Sequence, residues 1–383
     1  MTDSLLCRMC GGGLPSSPIL SYPNSPQSAQ GFLESRDQKD QVVDLHIYQC
    51  ESCGHVQHVL PPVPYFKDVI RAIAFSSEMG KFRKTQLSHW IDKFNLSEKR
   101  LIEIGCGRGE YLELLSQSGA RSLFGIENAH GSVQASKAQG FDVRTAYLTP
   151  GFSNPWPKPF EAFAIFSFIE HWPDLKGSLS GLRSVLVEGA IGLIEVPNFE
   201  FILANGLYSE FTTDHIHYFD QQTLRVALEL NGFDVLSIKK VWHDYILSAE
   251  VRKRLPLKTE SFNTKRQHIA TELNSFADRF EPGRVVIWGA GHQALAVMSM
   301  AELQKRVSHV VDSAAFKQKK YTPGTRLLIK SPESLSIDKP QAIIVMAAAY
   351  SDEVARTLAE KYPFINHVAI LREDQLEIVK DAQ

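Results

Sequence analysis

The segment Glu103-Ile-Gly-Cys-Gly-Arg-Gly-Glu110, entered through apolar Leu101-Ile102, constrains this chain more than any other. It reads as the end of a strand, a glycine turn and the start of a helix. Glycines at 105, 107 and 109 set the pattern acid-x-Gly-x-Gly-x-Gly. The dinucleotide fingerprint differs, because its third glycine comes later. Glycine lets backbone approach a bulky ligand and tolerates positive φ where a turn is tight. About 20 residues on, Leu123-Phe-Gly-Ile-Glu127 reads as a second short strand ending in a carboxylate, placed to accept hydrogen bonds from both hydroxyls of a ribose. Strand, turn, helix and a second strand commit the chain to an open α/β sheet that binds ligands at the carboxyl ends of its strands. The plain alternative is an α/β domain whose glycine turn binds nothing.

At 383 residues the chain has room for two or three domains of about 100–200 residues each. Apolar residues make up 44% and charged residues 22%, the balance of a folded protein rather than a disordered one. A net charge of −2 gives no footprint for nucleic acid. No apolar run is long enough to span a membrane, and Met1-Thr-Asp-Ser-Leu-Leu-Cys7 lacks the basic start of a signal peptide. A soluble, cytoplasmic protein is expected, with monomer and homodimer both open.

Four of the five cysteines pair by spacing, as Cys7-Arg-Met-Cys10 and Cys50-Glu-Ser-Cys53. In a cytosolic chain, paired C-x2-C knuckles favour a metal over disulfides. Four thiolates suit tetrahedral zinc in a closed, structural site. The glycines after Cys10 and Cys53 supply the freedom a knuckle turn needs. The rival, a redox pair, lacks a thioredoxin-like strand–helix context. His46, His55 and His58 lie nearby. Because four cysteines complete the shell, these histidines read as surface residues. Cys106 reads as a small residue that fits the glycine turn.

Residues 1–60 form a candidate zinc module, too short and polar to hold a large core alone. Pro61-Pro62-Val-Pro64 breaks the chain. Residues 61–96 then read as a helical cover segment, with Val69, Ile70, Ile73, Phe82, Leu87, Trp90 and Ile91 as candidate buried positions. The glycine-turn domain spans 97–247. Its strand candidates are 100–104, 122–127, 142–145, 162–168, 190–196 and 235–241. Residues 248–282 read as a connecting helix. A second, smaller Rossmann-like domain spans 283–383. It opens with Arg284-Val-Val-Ile-Trp-Gly289-Ala-Gly291 and continues to His309-Val-Val-Asp312. Gly289-x-Gly291-x-x-Ala294 with Asp312 permits a nicotinamide dinucleotide site. Packing and substrate contact is the preferred reading, since the unit is short and no redox residues accompany it.

The turn and its acid resemble those of the class I S-adenosylmethionine (SAM) methyltransferases. That resemblance implies that Glu103 faces the methionine end of the cofactor and Glu127 its ribose. Gly105, Cys106, Gly107, Gly109, Phe166 and Ser167 would complete the cofactor site. The whole chain further resembles the sugar C-methyltransferases that act on nucleotide-linked 4-keto-deoxysugars. The resemblance rests on the two C-x2-C pairs, Glu103–Glu110, Ile194-Glu-Val-Pro-Asn198, Asp214-His215-Ile-His-Tyr218-Phe219, and Val311-Asp312 followed by Lys317-Gln318 and Tyr321-Thr-Pro-Gly-Thr325. It implies a class I methyltransferase core carrying an N-terminal zinc module and a Rossmann-like C-terminal domain. The substrate would lie between the SAM domain and the C-terminal domain.

Methylating a carbon beside a ketone needs a base for the α-proton, and histidine is neutral at cytosolic pH. In the resembled family a histidine directly after an acid plays that part, which points to His215, with Asp214 orienting it or binding another substrate group. His171, in Phe166-Ser-Phe-Ile-Glu-His171, is a candidate substrate contact. Asn198 either contacts the sugar or caps the following turn. His217 and Tyr218 are further substrate candidates. The chain departs from the family motif where Thr212, Thr213 and Asp214 stand for tyrosine, histidine and glutamate. It departs again at Ala74-Phe75-Ser76-Ser77, where many members have a tyrosine-rich and serine-rich stretch. The rival readings are an oxygen or nitrogen methyltransferase of the same build and a non-catalytic sugar-nucleotide binding protein.

Overall fold

A computed structural model describes residues 5–68 and 76–382 of the chain. The expected buried positions Val69, Ile70 and Ile73 lie outside the described residues, as do Ala74 and Phe75. The chain divides into two units, Met1–Pro256 and Leu257–Gln383.

The first unit begins with β1 (Leu20–Pro26), β2 (Val42–Gln49) and β3 (Val56–His58), followed by helix α1 (Ser77–Lys93). Ser76 caps α1 by accepting a hydrogen bond from the Met79 N–H. The alternating core is β4 (Arg100–Ile104), α2 (Glu110–Gln117), β5 (Ser122–Glu127), α3 (His130–Ala138), β6 (Asp142–Thr145), β7 (Phe160–Phe166), α4 (Leu175–Ser184) and β8 (Leu186–Pro197). Then come α5 (Phe199–Ala204), β9 (His217–Tyr218), α6 (Gln221–Leu230), β10 (Phe233–Val241) and β11 (Ile246–Lys253). The large sheet has the order β10-β11-β8-β7-β4-β5-β6. Strands β4 to β8 pair in parallel, while β11 runs antiparallel between β8 and β10. Leu101, Ile102 and Ile104 are buried because helices cover both faces of a parallel sheet. Of the expected helical segment 61–96, residues 61–68 are turn and loop and helix spans Ser77–Lys93, whose Leu87, Trp90 and Ile91 pack beside Leu101, Leu115 and Leu193.

Two expectations change. Residues 248–253 are strand, not connecting helix, and helix α7 starts only at Glu260 (Glu260–Ala277). The charged run Arg252-Lys-Arg254 hid a strand whose positions 246–251 are all buried between β8 and β10. The N-terminal module is also not self-contained. Its sheet has the order β1-β2-β3-β9, completed by a strand from far along the chain. Leu45, Ile47 and Val56 share a core with Phe199, Ile202, Phe211 and Tyr218.

The second unit packs α7 against a sheet of order β14-β13-β12-β15-β16-β17. Its strands are β12 (Val285–Trp288), β13 (Val307–Val311), β14 (Ile329–Lys330), β15 (Ala342–Val345), β16 (His367–Leu371) and β17 (Leu376–Asp381), with helices α8 (His292–Met300), α9 (Leu335–Asp338) and α10 (Ser351–Lys361) between them. All pairings are parallel except β16 with β17. Among the described residues, no helix is long and apolar enough to cross a membrane.

Candidate active site

At the carboxyl end of β4 the backbone turns through Gly105, Gly107 and Gly109, with φ of 72°, 55° and 96°. A side chain at 105 is excluded twice, by the left-handed φ and by Phe168, whose ring would lie 2.5 Å from a Cβ. Glu127, at the end of β5, ties the turn down. Its Oε2 accepts from the Gly107 N–H at 3.0 Å and its Oε1 from the Ala129 N–H at 2.8 Å. Glu103 is fully buried at the end of β4. A narrow cleft follows this edge, lined by Gly105, Glu127, Asn128, Tyr147, Phe168 and Trp172. Asp68 reaches it and accepts from the Asn128 side-chain amide at 2.7 Å. Asn128 and Tyr147 were missed by the sequence reading. Adjacency to Glu127 was a signal for the first, and the second follows β6 in a loop with no pattern.

This cradle fits SAM. Glycine backbone can approach the cofactor, and carboxylate oxygens can each accept more than one hydrogen bond. Other expected cofactor residues face elsewhere. The Phe166 ring stacks on Tyr111 at 4.0 Å, and the buried Cys106 thiol packs with Leu112, Val133 and Val143. Ser167 is exposed just after β7, with φ of 48°.

Beyond Phe168 lies a cluster of titratable side chains. The rings of Phe168 and His171 are 6.4 Å apart, and those of His171 and His215 are 4.9 Å apart. The His171 Nδ1–H donates to the Asp214 carbonyl at 2.8 Å, and the Ile216 N–H donates to the Glu170 carbonyl at 2.9 Å. These two bonds register the segment after β7 against the loop before β9 and hold His215 between them. Burial lowers the His171 pKa and takes that of His215 down to about 4, with the nearby Asp214 charge opposing both shifts. Asp214 is itself buried and accepts from the Thr212 hydroxyl at 2.8 Å. Glu170 is 1% exposed, and neither carboxylate oxygen has a hydrogen-bond partner among the described residues. Burial raises its pKa to about 8. The sequence reading gave Glu170 no role.

The three candidate substrate residues are engaged in the fold. His217 is buried, with Nδ1 against His55 Nε2 at 2.8 Å and Nε2 donating to the Trp172 carbonyl at 2.8 Å. Tyr218 is buried, and its hydroxyl bonds to the Thr212 backbone. Asn198 takes its capping alternative. Its Oδ1 accepts from the Glu200 N–H, and its Nδ2 donates to the Asp244 carbonyl. Glu195, beside Asn198, is fully buried and forms an ion pair with Arg83 of α1 at 2.5 Å.

The four knuckle cysteines converge. Cys7 and Cys53 sulfurs are 3.7 Å apart, and those of Cys10 and Cys50 are 3.6 Å apart. A tetrahedron with Zn–S bonds of about 2.3 Å has edges of about 3.8 Å. A disulfide would need about 2.05 Å. All four sulfurs lie within 4.8 Å of one another, so the cluster can hold a zinc ion. His55 and His58, expected at the surface, are fully buried behind it. They connect this knuckle to the loop that carries His215. His58 Nε2 donates to the Thr213 carbonyl at 3.1 Å, and the His58 N–H donates to the Ile216 carbonyl at 3.2 Å.

The second unit repeats the strand–turn–acid device. Gly289 has φ of 125° and leaves only 2.4 Å between a Cβ and the Met346 carbonyl. Asp312 accepts from the Ala290 and Ala314 N–H groups and pairs with Lys317 at 3.0 Å.

Two family models match this chain in sequence. Residues 79–238 match a methyltransferase domain family, and residues 247–365 match the C-methyltransferase C-terminal domain. C-methyltransferase NovU of Streptomyces niveus is 22% identical, covering 91% of this chain and 90% of its own. Magnesium protoporphyrin IX methyltransferase from Synechocystis PCC 6803, solved with bound SAH, aligns at 14% identity and a TM-score of 0.38, covering 49% of this chain and 96% of its own. A SAM-dependent methyltransferase from Clostridium acetobutylicum aligns at 13% identity and a TM-score of 0.39, covering 50% and 96%.

Proposed function

The chain belongs to the SAM-dependent C-methyltransferases, and from that premise we propose that it methylates the carbon beside the ketone of a nucleotide-linked 4-keto-deoxysugar. The observation that carries this reading is the neutral His215 held between two hydrogen bonds made by its flanking residues, beyond the glycine turn. SAM, when bound, supplies an electrophilic methyl group on a sulfonium. Glu103, Gly105, Gly107, Gly109 and Glu127 hold it at the end of β4 and β5. Carbon is a nucleophile only after its α-proton leaves. His215 takes that proton on a ring nitrogen. Burial keeps the imidazole unprotonated at neutral pH, and the Asp214 carboxylate favours the imidazolium that forms. His171, fixed by its bond to the Asp214 carbonyl, presents Nε2 to the substrate. Cys7, Cys10, Cys50 and Cys53 hold zinc in a structural role, which suits the reducing cytoplasm.

The test is mass spectrometry of reactions run in heavy water with SAM and dTDP-, GDP- and CDP-linked 4-keto-6-deoxysugars. A gain of one methyl on carbon, lost in His215→Asn, is expected. Methyl gain on oxygen or nitrogen, with no deuterium at any α-carbon, would replace this reading with the heteroatom methyltransferase.

A further inference from the structure

We infer that Glu170, His171 and His215 form a second cation site, for a divalent first-row transition metal, separate from the four-cysteine cluster. The three side chains each bring one ligand atom, and these atoms all lie within 4.8 Å of one another. Two imidazole nitrogens and one carboxylate suit zinc, cobalt, nickel or iron(II) far better than calcium or magnesium.

Three independent features make the cluster a site rather than a coincidence. Glu170 buries a carboxyl group with neither oxygen hydrogen-bonded among the described residues, an acceptor left open to a bound cation. His171 donates its Nδ1–H to the Asp214 carbonyl at 2.8 Å, which leaves the Nε2 lone pair for a metal. Metal-binding histidines are typically oriented by such a bond to a backbone carbonyl. The surroundings are also negative. The Asp214 carboxylate acts on all three side chains.

The consequence is regulatory. His215 has one available lone pair for either the α-proton or the metal, so a bound cation removes the base. The site makes the enzyme sensitive to excess transition metal while the four-cysteine zinc stays in place. This consequence rests on His215 being the base, whereas cation binding itself does not.

The test starts from purified full-length protein of measured zinc content, titrated with Co2+ by calorimetry and visible absorption. One further Co2+ is expected, with ligand-field bands and no thiolate charge transfer. Glu170→Gln and His171→Asn should each weaken it by at least about tenfold, since even indirect partners of a metal ligand contribute about 10–100-fold. Cobalt-edge X-ray absorption on the unsubstituted protein should show nitrogen and oxygen neighbours without sulfur, which needs no variant to fold. Saturating Co2+ should lower methyl transfer at least tenfold, reversibly on chelation. Cobalt bound only by sulfur, or bound equally by both variants, would overturn the site. Cobalt bound as expected with methyl transfer unchanged would overturn instead the role of His215 as base.

Discussion

The Glu127 carboxylate accepts the Gly107 N–H at 3.0 Å, so the acid at the end of one strand fixes the glycine turn at the end of its neighbour. A hydrogen bond to a charged acceptor contributes about 1.5–3 kcal/mol. Glu127→Ala loosens the turn and removes the proposed ribose acceptor together. Calorimetry should show SAM affinity falling by more than about tenfold. Asp312→Ala, which cuts the equivalent tie in the second unit, should leave SAM affinity unchanged.

Gly105→Ala should also abolish measurable SAM binding. The added methyl meets the Phe168 ring at 2.5 Å, at a φ of 72° that L-residues rarely adopt. Relief requires moving Phe168, and with it the segment that carries Glu170 and His171. Equilibrium binding and the aromatic circular dichroism of the variant check both effects.

Arg83 and Glu195 form a buried ion pair that fastens α1 to the end of β8, with side-chain exposures of 2% and 0%. Removing one partner of such a pair costs about 3–5 kcal/mol. Arg83→Met should lower unfolding free energy by that amount in denaturant titration. Gln86, which also donates to Glu195, keeps the effect toward the lower end.

Acid should destabilise the first unit at a pH set by its buried histidines. Burial, then the charge of Arg8, lowers the pKa of His58 from 6.5 to about 4. The unfolded chain therefore binds more protons between those values. Stability is full above pH 6.5 and is lost as pH falls toward 4, by up to about 3 kcal/mol from His58 alone. Unfolding midpoints measured across this range should fall with pH, and His58→Asn should flatten the slope.

Zinc removal should disable the His215 loop before the large sheet unfolds. The strand that follows the Cys50–Cys53 knuckle pairs with β9, and His58 bonds to Thr213 and Ile216 on either side of His215. Chelation should abolish methyl transfer while far-ultraviolet circular dichroism changes little. Readded zinc should restore activity.

Local chemistry made much of this legible in the sequence. Glycine at 105 and 107, the acid at 127 and the apolar runs of β4, β5 and β7 depend on near neighbours, and the structure has them where expected. The cysteine spacing likewise foretold a four-sulfur cluster. What failed depends on contacts between distant residues. His217 lies two residues from the proposed base in sequence, but its ring is buried and bonded to His55 and to the Trp172 carbonyl. His55 and His58 look like surface residues only if the N-terminal module stands alone. Residues 217–218 bury them by completing that module's sheet. Glu170 is unremarkable in sequence, and what singles it out is burial without a hydrogen-bond partner among the described residues.

The most direct measurement is α-proton exchange in heavy water, with the keto-sugar accepted by the enzyme and S-adenosylhomocysteine in place of SAM. This separates the base from methyl transfer. Deuterium should enter the α-carbon, and His215→Asn should slow it by about 10²–10⁴-fold, the usual contribution of a general base. Exchange that proceeds equally in the variant would contradict the assignment of His215.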